Sequence, residues 1–86
     1  MSTELYVSNL AVEVTEPELE SLFAQVGTCN SARLILDRET GCSRGFAFIQ
    51  MEKSADAHKA RRQLAGHDLK GRALRVDLII REQRSS

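Results

Sequence analysis

In this chain of 86 residues, the types and spacing that could do chemistry stand in Arg44-Gly45-Phe46-Ala47-Phe48-Ile49-Gln50-Met51. Two phenylalanines sit two residues apart behind an Arg-Gly. In a strand, alternate side chains share a face. Arg44, Phe46, Phe48 and Gln50 then point one way, and Gly45, Ala47, Ile49 and Met51 the other. If Ala47, Ile49 and Met51 fill a core, a cation and two aromatic rings remain on an open sheet. Aromatic ring faces offer stacking platforms for nucleic-acid bases, and a guanidinium matches a phosphate through paired N–H donors.

The elements that must position this strand lie on either side of it. Leu5-Tyr6-Val7-Ser8 reads as a short strand. Thr15 can cap a helix, with Glu18 as its capping-box partner and Pro17 in the first turn. Leu19, Leu22, Phe23 and Val26 then form one apolar stripe, which puts Phe23 in the core. Gly27 ends this helix in the manner of a left-handed cap. Residues 29–36 read as a second strand, with Ala32, Leu34 and Leu36 on one face and Arg33 and Ile35 on the other. The polar turn Asp37-Arg38-Glu39-Thr40-Gly41 joins it to the phenylalanine strand as a hairpin. Ser54 can cap a second helix, in which Ala57, Ala60 and Leu64 keep helical spacing and which Gly66 ends. A turn through Gly71 leads to a fourth strand, Ala73 to Leu78, where Leu74, Val76 and Leu78 alternate with Arg75 and Asp77.

The order is strand-helix-strand-strand-helix-strand, an α+β pattern. Two helices with one apolar stripe each cover one face of a four-stranded sheet, not both. That puts Leu5, Val7, Ala47, Ile49, Leu74 and Val76 inward, and Tyr6, Phe46, Phe48, Arg75 and Asp77 outward. Three of the four aromatics thus land on the uncovered face, which marks an interaction surface.

Composition narrows the function classes. One domain of this size buries roughly 60–65% of its unfolded surface. No apolar run approaches the ~18 residues of a membrane span, and the start shows no secretory signal. The expected setting is intracellular: cytoplasmic, or nuclear in a eukaryote. Cys29 and Cys42 are too few for a metal site. One opens a strand and the other lies beyond its far end, roughly 20 Å away, so both are expected as reduced thiols. His58 and His67 stand apart from any nucleophile or ligand and read as surface residues. Net charge is zero, yet residues 1–30 carry five acids and no Lys or Arg, and all 12 cations lie in the remainder. That balance argues against indiscriminate polyanion binding and permits a local basic surface. Lys59, Arg61 and Arg62 read as a solvated helix face.

Leu5-Tyr6-Val7-Ser8-Asn9-Leu10 and the Arg44–Met51 octamer together resemble the paired signatures of the RNA recognition motif family. The resemblance spans nearly the whole chain, implying one domain over residues 1–82 and a short flexible tail over 83–86. It implies a ferredoxin-like βαββαβ fold whose antiparallel sheet has the order 4-1-3-2. Tyr6 then neighbours Phe46 and Phe48. By that resemblance Tyr6 and Phe48 each stack under one base, Phe46 packs against sugars, and Arg44 meets a phosphate. Arg33, Ile35, Gln50, Arg75 and Asp77 share the open face and could meet base edges; Arg75 and Asp77 could instead pair with each other or face solvent. Asn9 either contacts a base or holds the turn. Arg81 and Arg84 either extend the phosphate track or lie in a solvated tail. Two positions depart from the family. Met51 replaces a common aromatic, on the core-facing parity, and Ala65 replaces an Asn, which implies a looser turn.

The same topology serves acyl-phosphate hydrolases, which need a phosphate cradle after the first strand. Here that loop has neither Gly nor Arg. It also serves metal chaperones, whose Cys-x-x-Cys pair is absent. The expectation is a non-enzymatic monomer with no cofactor or metal, binding single-stranded RNA, with single-stranded DNA as a second candidate ligand. A protein-interaction module using the same sheet or the acidic first helix is the alternative. The start Met1-Ser2-Thr3 leans toward a small stand-alone protein over an excised fragment.

Overall fold

Glu18 sets where the first helix begins. Its Oε1 accepts from the Thr15 backbone N–H at 3.0 Å and from Thr15 Oγ1 at 3.2 Å. The capping box read from the sequence is therefore formed, with Pro17 in the first turn. In the computed structural model, which describes residues 3–79, the elements follow in this order: β1 (Glu4–Ser8), α1 (Glu16–Ala24), β2 (Cys29–Leu36), β3 (Ser43–Met51), α2 (Ser54–Leu64), β4 (Asp68–Leu69), β5 (Arg72–Ala73) and β6 (Arg75–Ile79). Arg81, Arg84 and the expected tail lie outside the described residues.

The four longer strands form one antiparallel sheet in the order β2-β3-β1-β6. With β6 as the fourth long strand, this is the expected 4-1-3-2 arrangement of a ferredoxin-like fold. Leu5 pairs with Ile49 and Val7 with Ala47, and all four are fully buried. Leu19 and Phe23 of α1 and Ala57, Ala60 and Leu64 of α2 close over that face. Met51, also fully buried, fills core space where the family often has an aromatic.

Local departures from the sequence reading have physical causes. Helix α2 begins at Ser54 itself, and Lys53 occupies the cap position without a side-chain cap bond. Helix α1 closes through Gln25 in the right-handed region, and Gly27 is not left-handed. Gly27 is small for another reason: a Cβ there would fall on the Asp56 side chain of α2. The last strand starts later than Ala73. Arg72 and Ala73 pair with Leu69 and Asp68 as a separate small hairpin. Leu74 breaks the strand, since its N–H donates to His67 O at 2.9 Å and its carbonyl accepts from Gly66 N at 2.8 Å. Leu36 was expected to share the core face, yet it is 50% exposed because a register shift lies between Leu34 and Leu36. The loop after β1 buries Leu10, Ala11 and Val14, which showed no periodicity in sequence.

One turn and one edge-strand contact hold β2 in place. Asp37 Oδ1 accepts from the N–H of Glu39 at 2.8 Å and of Thr40 at 3.1 Å, closing the β2–β3 turn. Glu16 Oε2 accepts from Leu34 N at 2.9 Å, occupying an N–H of the β2 edge strand.

We expect Gly27→Ala to cost about 1–3 kcal/mol by overpacking, read from urea unfolding. The carboxyls of Glu18 and Asp37 are both held below their ordinary values, chiefly by the backbone N–H of Thr15 and of Glu39 respectively. A lowered folded pKa adds stability that is full above the ordinary value and lost as pH falls through the lowered one. Urea midpoints should therefore fall as pH drops below the ordinary values of 4.5 for Glu18 and 3.8 for Asp37, and Glu18→Gln should flatten part of that fall.

Candidate nucleic-acid interface

The pairing that buries Leu5 and Val7 turns their neighbours the other way. Tyr6 lies opposite Phe48, and Ser8 opposite Phe46. On the outer strands Arg33 pairs with Phe48, and Asp77 with Tyr6. One row, Arg33–Phe48–Tyr6–Asp77, therefore crosses the whole sheet on the face that no helix covers. A second row holds Phe46, Ser8 and Arg75, and a third holds Ser31, Gln50, Glu4 and Ile79.

The three rings form one cluster. Centroids lie 5.8 Å apart for Tyr6–Phe46, 5.6 Å for Tyr6–Phe48 and 6.3 Å for Phe46–Phe48. Phe46 stands nearly perpendicular to Phe48, at 84°, while Tyr6 and Phe48 are inclined by 47°. These are the tilted and edge-to-face arrangements that ring quadrupoles favour. Each ring is half-buried, because its neighbours shield one side. The cluster is not a flat shelf. A base parallel to Tyr6 and a base parallel to Phe48 would be splayed by the same 47°.

The sequence-expected polar residues divide into groups. Arg33, Arg75 and Asp77 are exposed on the open face. No ion pair joins Arg75 to Asp77 among the described residues. Gln50 is half-buried and its Nε2 donates to Thr3 Oγ1 at 2.6 Å. Arg33, Gln50, Ser31 and Glu4 line a shallow depression beside Phe48. Ile35 is half-buried at the β2 end of the face.

Arg44 departs from the simple alternation. Leu34 pairs with Ala47 and Leu36 with Ser43, so Arg44, Gly45 and Phe46 stand opposite Ile35 alone. Gly45 adopts φ +89, the left-handed region of a bulge. Its carbonyl accepts from Leu10 N at 3.0 Å, and its N–H donates to Ser43 Oγ at 3.0 Å. The octamer's glycine is thus required by backbone geometry, and Arg44 and Phe46 on either side of it line one cleft at the sheet's end. Arg44 is exposed at the sheet's end, where its charge helps to lower the Asp37 carboxyl.

Asn9 also sits in the left-handed region, with φ +62. Its Nδ2 donates to Ala73 O at 2.8 Å, and its Oδ1 accepts from an Arg72 guanidinium N–H at 2.6 Å. Both ends of the amide hold the turn. Sequence reading placed Leu69-Lys70-Gly71-Arg72 at the entry to the last strand and gave Arg72 and Lys70 no binding role. The signal was the Lys70-Gly71 pair, a two-residue hairpin loop with positive φ at both positions, 53° and 87°.

No group of three or more His, Cys, Asp or Glu among the described residues could hold a metal ion. Both cysteines are free. Burial first, and Glu20 second, push the half-buried Cys29 thiol up from its ordinary value.

With this geometry in hand, similarity to known proteins is specific. The family model "RNA recognition motif" matches residues 5–75. The human "Cleavage stimulation factor subunit 2 tau variant" is 42% identical over 73 residues, which is 85% of this chain and 12% of that protein. The chain therefore spans about an eighth of that curated relative. "RNA Binding Protein PG1" superposes with a TM-score of 0.87 at 42% identity, over 96% of this chain and 100% of that one. "Rna15 RRM with bound RNA (GU)" gives 0.85 at 27% identity, over 99% of this chain and 90% of that one.

Gly45→Ala should destabilise the fold by about 1 kcal/mol or more, since alanine is strained at this φ. The same measurement on Gly71→Ala gives the size of the conformational cost alone, since a Cβ there meets nothing within 4 Å whereas one at Gly45 would lie 3.5 Å from Leu10 O.

Proposed function

This chain belongs to the RNA recognition motif family, and on that premise we propose that it binds single-stranded RNA across the open face of its sheet. The observation that carries the reading is the three-ring cluster of Tyr6, Phe46 and Phe48 on the one face that neither helix covers. An aromatic cluster left half-open on an uncovered sheet face marks a surface for contact with a ligand. Tyr6 and Phe48 each take one base, and the edge-on Phe46 contacts the sugars between them. Arg44 takes a phosphate. Arg33, Gln50, Arg75 and Asp77 surround the rings and read base edges, with Ile35 closing the β2 side. Asn9 contributes by holding the turn at the end of β1. The Rna15 domain was solved with RNA bound, and this chain shares its fold.

The platform is complete within one chain, so a monomer suffices. Two free cysteines fit a reducing compartment, cytoplasmic or nuclear. Binding requires no cofactor, and the chemistry is stacking and charge pairing with no bond made or broken.

The test is titration of end-labelled RNA followed by anisotropy. Tyr6→Ala and Phe48→Ala should each weaken binding about 5- to 150-fold, the value of one lost base stack. Affinity should fall with salt at a slope of about −0.7 per phosphate contacted. Tyr6 is the sole tyrosine and there is no tryptophan, so intrinsic fluorescence reports this site directly and should be quenched on binding. Folded variants that bind as tightly as the unmodified protein would refute the platform. Single-stranded DNA of the same sequence measures the share of the 2′-hydroxyl.

A further inference from the structure

The open face does not end at Phe46. Beyond it lies a cleft lined by Ser8, Asn9, Arg44, Phe46, Lys70 and Arg72, together with the loop after β1. Ser8 and Phe46 are the last paired residues of β1 and β3, so the cleft begins where the platform stops. Its lining carries three cations, Arg44, Lys70 and Arg72, against one carboxylate, Glu13. Lys70 also meets Glu18 Oε2 at 3.3 Å.

Arg72 is held in place. Its guanidinium donates to Asn9 Oδ1 at 2.6 Å, and Asn9 is itself anchored by donating to Ala73 O at 2.8 Å. A guanidinium has five N–H donors, and one bond to an amide leaves the rest of the fork for another acceptor. Lys70 occupies the first position of the β4–β5 turn at φ +53, where Asn or Gly is the low-cost choice. A bulky cation kept in that conformation is a strained residue next to a charged cleft, and strain of this kind clusters at functional sites.

We propose that this cleft is a second anion site, which takes a phosphate of the same RNA strand after it leaves the aromatic rings. Arg72 is the principal contact, Lys70 adds charge, and Asn9 is a positioning residue that acts through Arg72. The inference rests on the sheet-binding reading, and it extends the bound strand past one edge of the ring cluster.

The experiment uses randomised-sequence RNA pools, so that base preference does not decide the result. One pool is a core of about four nucleotides. The others carry a few more nucleotides at the 5′ or the 3′ end. For the unmodified protein, one of the two extensions should tighten binding several-fold. Arg72→Ala should abolish that gain, lower the salt slope on the extended RNA by about 0.7, and leave the core pool unaffected. Arg72→Lys should restore the slope and only part of the gain, since the fork is lost. With Arg72 in place, Asn9→Ala should lower the ratio of extended-pool to core-pool affinity, which an asparagine that only holds the turn would leave unchanged. The cleft proposal is overturned if neither extension tightens binding, or if Arg72→Ala keeps both the gain and the slope. Failure of Phe48→Ala to weaken the core pool would instead overturn the sheet reading, so the two failures are distinct.

Discussion

The antiparallel pairing of β1 with β3 is the constraint from which the rest of the molecule follows. It sets Leu5 against Ile49 and Val7 against Ala47, and these four residues have no exposed surface. Because side chains alternate along a strand, the same register must set Tyr6 against Phe48 on the opposite side. A slip of one residue would exchange the two sets, burying a tyrosine hydroxyl and exposing the centre of the core. Core packing and ring placement are two faces of one register, so burial energy that folds the chain also holds the rings in position.

The ends of those two strands are governed by backbone conformation rather than by alternation. Gly45 and Asn9 both adopt positive φ. Leu10 N–H closes onto Gly45 O, while the Asn9 amide reaches across to β5. These bonds turn the chain off the sheet beside Phe46 and bring the small β4–β5 hairpin to the same place. The result is an aromatic surface with a basic margin, produced by residues from three separate segments.

Charge is distributed to match. Three of the five acids in the first 30 residues lie on α1, on the covered side of the sheet. There Glu16 bonds a β2 edge N–H, and Glu18 caps its own helix and meets Lys70. Two of these five acids, Glu16 and Glu18, thus serve the fold. The open face sets Arg33 and Arg75 against Glu4 and Asp77, and the cations Arg44, Lys70 and Arg72 gather at its margin. A neutral chain can in this way present a surface suited to an anionic strand.

Much of this was legible in the residues alone. Periodicity and caps showed the order of elements, and the single stripe on each helix showed that only one sheet face could be covered. That placed Tyr6, Phe46 and Phe48 outside, because a period of two leaves no other choice once Ala47 and Ile49 go in. The sequence by itself determined local pattern: Thr15 and Glu18 as a cap, Phe23 as core, the Asp37 turn. Tertiary structure alone decided what depends on contacts distant in sequence. Gly27 is small because Asp56 approaches it from another helix, Leu36 is exposed because β2 shifts register against β3, and Arg72 matters because Asn9, 63 residues away, holds it. Alternation and helical spacing report on neighbours within one element, whereas such contacts are set by how elements meet, and no local period encodes that.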